Sequence, residues 1–248
     1  MRGIFVTGTD TNVGKTVVAA ALMLRYRDEA ALRYWKPIQT GIRDSGFGIR
    51  TSDSSASNDD DTVEVVRLSC AGQDEIFRCG TRLPDPVSPH LAAQRVGTRI
   101  TVRELAAIVR KVDHPSHAES RIPNPESRTR WIVEGAGGAL VPLNERETMA
   151  DLMHALDLPV LIAARSTLGT INHTCMTIEV LRRRRLGVAG VVMVGEPNDD
   201  NRLAIERYGA AEVIAQMPRF DPLTPEALDA WVHAEFDRSG VLFVGALR

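Results

Sequence analysis

The sequence predicts an α/β protein, a mainly parallel sheet with helices on both faces, folded as a single domain over residues 1–248. Two observations carry that expectation. Short apolar runs alternate along the chain with longer segments of helical periodicity, the pattern left by parallel strands that are buried on both faces. Two polar stretches interrupt the alternation, and neither separates two composition regimes, so neither marks a domain boundary.

In chain order, Gly3–Thr7 is the first strand, because the apolar run Ile4-Phe5-Val6 leads straight into a glycine-bearing turn. The helical run Lys15–Arg27 follows, then a second strand at Leu32–Pro37. Later strands are expected at Trp131–Glu134, Pro159–Ala164, Val188–Val194 and Glu212–Met217. Helices are expected at Asp61–Cys70, Pro89–Arg95, Val102–Lys111, Met149–Leu156, Ile171–Arg185 and Asn201–Tyr208. Thr224–Ser239 is a last helix, its Thr-Pro-Glu start reading as an N-cap with proline at the first helical position. Arg43–Asp60, rich in Ser, Asp and Gly, and His114–Arg130, rich in Pro, Ser and Arg, read as surface loops.

Bulk properties exclude several classes. A formal net charge of −2 gives no electrostatic reason to bind nucleic acid or an anionic membrane. The one dense basic run, Arg182-Arg183-Arg184-Arg185, ends a helix and reads as a solvated terminus complementing the helix dipole. Cys70, Cys79 and Cys175 form no CxxC and no paired metal spacing, so reduced thiols are expected. No apolar run is long enough to cross a bilayer, and the N-terminus lacks a signal-peptide pattern. The expectation is a soluble cytoplasmic protein.

The chemistry concentrates at strand ends. Gly8-Thr9-Asp10-Thr11-Asn12-Val13-Gly14-Lys15-Thr16 joins the first strand to the first helix in the order that a phosphate-binding loop requires. Backbone N–H groups from Asn12 to Val17 would wrap the phosphates. Lys15 would reach the β- and γ-phosphates, and Thr16 would ligate Mg²⁺. The spacing is a variant one, with Gly8 one residue earlier than the usual pattern. Lys36 ends the second strand, where ligands bind in a parallel sheet, and can bridge a substrate anion and the γ-phosphate. Glu134 ends another apolar strand and suits an acid near Mg²⁺, while Gly135-Ala136-Gly137-Gly138 lets the backbone approach a ligand closely.

Three further segments stay open. Asn58-Asp59-Asp60-Asp61-Thr62 begins a helix with more acids than a cap needs, and spacing does not choose which one serves a metal. In Pro86-Val87-Ser88-Pro89-His90, Ser88 reads as an N-cap with Pro89 at the first helical position. Thr167-Leu168-Gly169-Thr170-Ile171-Asn172-His173 starts a helix whose free N–H groups suit a carboxylate, from substrate or from a partner subunit. A plain capped joint at Thr170 accounts for the same residues.

Together these blocks resemble dethiobiotin synthetases. The loop has that family's GTDTxVGKT form, and Lys36-Pro37 with Thr40-Gly41, Pro86–His90, Glu134–Gly138 and Leu168–His173 follow in order. The resemblance implies a P-loop NTPase-like fold, a homodimer, and closure of the ureido ring of dethiobiotin from 7,8-diaminononanoate, CO₂ and a nucleoside triphosphate such as ATP, with Mg²⁺. One amine takes up CO₂ as a carbamate, the γ-phosphate passes to that carbamate, and the second amine displaces phosphate. Carried over by position, Thr16, Asp61 and Glu134 would hold Mg²⁺, with Lys15 and Lys36 catalytic. Asn12, Val13, Gly14, Val17, Gly135, Ala136 and Gly137 would line the nucleotide, and Thr11 and Thr40 the diamine and carbamate. Gly169, Thr170 and Asn172 would take the substrate's carboxylate across the dimer. The chain has Val194-Gly195 where some members carry an adenine-reading Asn-Asp, so the backbone there is left to face the base. A partitioning-type ATPase, which carries a lysine at the position of Asp10, and a nucleotide switch are the competing readings.

Overall fold

The structure is a computed structural model that describes residues 1–42, 48–50, 60–113, 129–242 and 247. Its strands are β1 (Gly3–Gly8), β2 (Leu32–Trp35), β3 (Ile38–Thr40), β4 (Gly48–Arg50), β5 (Ile76–Phe77), β6 (Gly80–Leu83), β7 (Arg130–Gly138), β8 (Val160–Arg165), β9 (Val188–Val194) and β10 (Val213–Met217). Its helices are α1 (Lys15–Tyr26), α2 (Asp61–Ser69), α3 (Pro89–Arg95), α4 (Val102–Asp113), α5 (Met149–Leu156), α6 (Thr170–Arg183), α7 (Asp199–Gly209) and α8 (Pro225–Glu235).

Seven strands form one sheet in the order β10-β9-β8-β1-β7-β2-β5, with every neighbouring pair parallel. The chain leaves β1 toward β2 on one side, and β8 toward β9 on the other. The C-terminal ends of β1, β7 and β8 therefore border the crevice where the winding reverses, the usual ligand position in such sheets. Register sets what meets there. Val6 pairs with Glu134, and Trp35 pairs with Val133, so Lys36 stands level with Glu134 one strand away.

Alternation along the strands divides the core into two layers. Phe5, Trp131, Val133 and Ile162 are buried on one face, in the same cluster as residues of α3, α4, α5 and α6. Ile4, Val6, Ile132 and Leu161 are buried on the other, with α1, α2 and α8. Trp35, Phe77 and Trp131 meet edge to face, with centroids 5.3 to 6.4 Å apart.

A smaller sheet, β3-β6-β4, was not expected from sequence. The segment Leu32–Pro37 ends as a strand at Trp35, because Pro37 has no N–H to continue the ladder. The chain then re-enters sheet structure as β3, parallel to β6. β7 runs on to Gly138 instead of stopping at Glu134. At α3, the Ser88 side chain makes no cap bond. Its hydroxyl instead lies 3.0 Å from His90 Nδ1. The α8 start is as expected, with the Thr224 hydroxyl accepting from Ala227 N, but the helix stops at Glu235, short of Ser239.

The basic run on α6 is not simply solvated. Arg182 donates to the Gly209 and Ala210 carbonyls, both at 2.6 Å, and so ties α6 to the end of α7. Arg184 reaches Asp151 of α5 at 3.0 Å. Of the two expected polar loops, most of 43–59 and 114–128 lies outside the described residues, Asn58 and Asp59 included; 48–50 form β4. All three cysteines are free. Among the described residues no helix is long and apolar enough to cross a membrane.

Leu22 sits at the middle of the buried face of α1. Leu22→Ala is expected to lower stability by about 2–5 kcal/mol through lost burial and the cavity left behind. Denaturant titration reads this directly, and an unchanged midpoint would contradict the packing described.

Candidate active site

The phosphate loop spans the gap between the tip of β1 and the start of α1. Gly14 is the N-cap of α1 at φ 91°, in the left-handed region that glycine adopts without strain. A Cβ there would lie 3.0 Å from Val194 Cγ1, so the position is also tight in space. The first α1 bond runs from Val18 N to Gly14 O, leaving the N–H groups of Lys15, Thr16 and Val17 ahead of it without intrahelical partners. Those groups and the helix dipole form a ready anion seat.

Asp10 braces this loop from outside. Its carboxylate accepts from Thr11 N at 2.7 Å and pairs with Arg165 at the tip of β8. These contacts hold the carboxyl below the usual range, the Thr11 bond first and the Arg165 charge after it. Across the loop, Lys15 Nζ donates to the Asp10 carbonyl at 2.9 Å. Burial lowers the Lys15 pKa to about 8, aided by the nearby Lys36 charge and opposed by Glu134.

Lys36 is the centre of the site. Its side chain is 3% exposed and stands 2.6 Å from Asp61 Oδ2 and 2.7 Å from Glu134 Oε1. It also donates to the Gly135 carbonyl at 3.2 Å. Burial disfavours the ammonium, yet the Glu134 and Asp61 charges outweigh it and hold the pKa above the ordinary lysine value. Burial also pushes the Glu134 carboxyl up, against the pull of Lys36. For Asp61, burial is overcome by Lys36, which leaves its carboxyl below the usual range. Thr16 Oγ1 donates to Glu134 Oε1 at 3.0 Å, and the buried Tyr34 hydroxyl donates to Oε2 at 2.8 Å.

The divalent-cation question turns on this donor set. Among the described residues no cluster of three His, Cys, Asp or Glu is placed to hold a metal. Thr16, Asp61 and Glu134 do converge around the Lys36 ammonium, and all three offer hard oxygens. Two carboxylates and a hydroxyl, with phosphate oxygens completing the shell, suit Mg²⁺, which seldom takes an all-protein cage. The residues fit the ion.

A cavity of about 340 Å³ gathers most of the expected site residues: Thr11, Asn12, Gly14, Lys15, Thr16, Val17, Lys36, Thr40, Asp61, Glu134, Ala136 and Gly137. Gln39, buried beside them, was not foreseen. Val13 is buried beneath the loop, and Gly135 contributes its carbonyl to Lys36. Of the three acids left open, Asp59 lies outside the described residues, Asp60 is the α2 cap, accepting from Thr62 N at 2.9 Å, and Asp61 is the one facing Lys36.

Val194 and Gly195 are not brought into this cavity. Val194 backs the loop at Gly14, and the Gly195 N–H is occupied by the Met217 carbonyl at 2.9 Å. Gly169, Thr170 and Asn172 lie at the start of α6, outside it as well. Gly169, not Thr170, caps that helix at φ 91°. A Cβ on Gly169 would meet nothing within 4 Å, so backbone conformation alone favours glycine there. Thr170 is buried, its hydroxyl 3.4 Å from that of Thr174. A second cavity of about 540 Å³ shares Thr11 and Gly137 with the first and adds Leu140, Val141, His173, Met176 and Val180.

Tyr34 and Arg165 were missed from sequence. Tyr34 lies in β2, two residues before Lys36, which follows directly on the strand's end, and extended backbone at that spacing puts both side chains on one face. Arg165 ends a strand as Lys36 does, and that position was its only signal.

A Lys15 amine titrating near pH 8 has a consequence for anion binding. The phosphates need the ammonium, so nucleotide affinity should be level below that pH and weaken above it, approaching about tenfold per unit. Nucleotide titrations from about pH 7 to about pH 9.5 test this, and a flat profile would contradict it.

Known proteins align with this geometry. A family model described as an AAA domain matches residues 2–227. An ATP-dependent dethiobiotin synthetase, BioD of Paramagnetospirillum magneticum, is 44% identical over 224 residues, covering 90% of this chain and 91% of that protein. The biotin biosynthesis bifunctional protein BioCD of Bordetella avium is 40% identical over 93% of this chain, which spans 42% of that longer protein. The septum site-determining protein MinD of Pyrococcus horikoshii, complexed with Mg-ADP, shares the fold at a TM-score of 0.50 and 13% identity, over 92% of this chain and 85% of that one. Fold alone would leave a partitioning ATPase in contention, but identity of 44% along nearly the whole of both chains does not: the chain belongs to the ATP-dependent dethiobiotin synthetases, ligases of biotin biosynthesis within the matched AAA-domain family.

Proposed function

We propose that the chain closes the ureido ring of dethiobiotin from 7,8-diaminononanoate, CO₂ and a nucleoside triphosphate. The observation that carries this reading is a buried lysine between two carboxylates, on the wall of a cavity that shares the lining residues Thr11 and Gly137 with a second, more apolar one. A phosphate site beside an apolar trough suits two substrates better than nucleotide alone. Leu140, Val141, Met176 and Val180 match the aliphatic chain of a diamino acid.

In this reading the neutral amine attacks CO₂ and loses a proton to solvent, giving a carbamate. The carbamate oxygen attacks the γ-phosphorus and the nucleoside diphosphate leaves. The second amine then attacks the carbamoyl carbon and gives up a proton to solvent, and phosphate carries away the bonding pair. The loop N–H groups and Lys15 hold the phosphates in line. Lys36 sits where it can touch carbamate and γ-phosphate together, neutralising both anions as they approach. Thr16, Asp61 and Glu134 would hold Mg²⁺, which supplies charge neutralisation on the phosphates. Displaced from its carboxylates, Lys36 would be free to face substrate.

A homodimer belongs to the same proposal. Leu168 is fully exposed, and Met176 and Leu140 are more than half exposed, beside the second cavity. Apolar side chains this open support coverage by a second copy. That copy would bring Gly169, Thr170 and Asn172, which lie outside the first cavity, to the carboxylate of the diamine. The free cysteines support a cytoplasmic setting.

Two experiments test the reading. Phosphate release should require diaminononanoate and bicarbonate together, and Lys36→Ala should bind nucleotide while losing product by at least about a hundredfold. Hydrolysis without the diamine, or normal turnover by the variant, would overturn it. Leu168→Asp should shift sedimentation from dimer to monomer, and an unchanged profile would remove Leu168 from the interface.

A further inference from the structure

Arg82 is a buried cation with no place in the chemistry above. It lies in β6, and its side chain is 3% exposed. A guanidinium taken out of water needs acceptors on its whole fork, since an unpaired buried charge is costly. Two of its contacts are informative. NH1 donates to the backbone carbonyl of Lys36 at 2.9 Å, and Nε lies 3.4 Å from Asp60 Oδ2.

Each partner is joined through the chain to a group in the site. The carbonyl belongs to Lys36 itself, and Asp60 immediately precedes Asp61. At the far ends of those segments, Lys36 Nζ and Asp61 Oδ2 meet at 2.6 Å. Arg82 thus closes a ring: guanidinium to Lys36 carbonyl, along the lysine to its ammonium, across to Asp61, and back through Asp60. The other Asp60 oxygen accepts from Thr62 N at 2.9 Å, so the same carboxylate also sets the direction in which α2 begins. A planar fork can hold two acceptors in fixed relation, where an ammonium serves as a point charge.

We propose that Arg82 is a positioning residue for the synthetase reaction, which fixes Lys36 and Asp61 relative to each other by tying the Lys36 backbone to the Asp60 cap. It touches no substrate. The inference rests on the role given to Lys36 above, and the two are separable by experiment.

Arg82→Met should lower kcat about tenfold, the scale expected when a reacting group is slightly misplaced. The KM for nucleotide should stay within about twofold, because the phosphate loop is carried by β1 and α1 and not by β6. Arg82→Lys should recover stability but only part of kcat. Lysine labelling gives a readout independent of turnover, since Lys15, Lys36 and Lys111 are the only lysines in the sequence. Trinitrobenzenesulfonate should modify Lys36 faster in Arg82→Met, measured against Lys111 by peptide mass spectrometry. If Arg82→Met does not fold, Asp60→Asn decides, because it keeps an acceptor for Thr62 N while removing the ion pair. Its kcat should fall in the same way. Folded variants with kcat within about twofold of the parent and unchanged Lys36 labelling would overturn the proposal. So would a kcat loss matched by equal loss at the nucleotide KM. If the parent protein makes no dethiobiotin, the functional reading fails, and the labelling ratio still decides whether Arg82 positions Lys36.

Discussion

The site depends on neutralising one ammonium that has been taken out of water. Lys36 is buried with Glu134 on one side and the part-exposed Asp61 on the other, and neither Lys36 nor Glu134 is tolerable there alone. Removing one partner from such a group typically costs about 3–5 kcal/mol, because the remaining charge is left without compensation. The arrangement gathers one positive and two negative side chains at the C-terminal edge of the sheet, a formal surplus of one negative charge.

The surrounding elements can be understood as holding that triad. Glu134 is level with both Val6 and Lys36 through the β1–β7 and β2–β7 registers, and the Tyr34 hydroxyl occupies its second oxygen. Asp61 is aimed by the Asp60 cap at the start of α2, which packs on α1 below the phosphate loop. Pro37 releases the chain from the main sheet directly after Lys36, so the lysine stands at a rim and not inside a ladder. The loop lysine differs in kind. Lys15 donates to a backbone carbonyl, and burial lowers its pKa instead of a carboxylate raising it. One lysine is held charged by its carboxylates, while burial draws the other's pKa down to about 8.

Much of the frame was legible because it is local. Apolar runs marked β1, β8, β9 and β10 within a residue, though β7 runs four residues beyond its expected end, and the Thr224-Pro225 start of α8 carried its own cap signal. The short strands β3 to β6 left little trace, being two to four residues long and too brief to show a period. Arg182 reads as a solvated helix end in one dimension, but it reaches carbonyls 27 and 28 residues away. Ser88 had the right identity for a cap and took a neighbouring histidine instead, a choice between two local bonds that spacing does not rank. One further signal lay in composition. Of 30 lysines and arginines only Lys15, Lys36 and Lys111 are lysine, and two of these three line the site. Elsewhere arginine supplies the charge. The site keeps a compact ammonium that a planar fork does not replace.

By itself the sequence determined the loop between β1 and α1, the position of Lys36 just past the end of β2, and the alternation that makes a parallel sheet, whereas Glu134, expected at a strand tip, lies within β7. Each of these depends on residues within a few positions of one another. Only the tertiary structure decided that Asp61 faces the site while Asp60 caps a helix, that Tyr34 supports Glu134, and that Val194 backs the loop instead of lining the cavity. Lys36 and Glu134 are 98 residues apart, and Arg82 is 46 from the carbonyl it holds. Contacts at that separation follow from strand order and register, which are set by how the whole core packs and not by any one segment's preference.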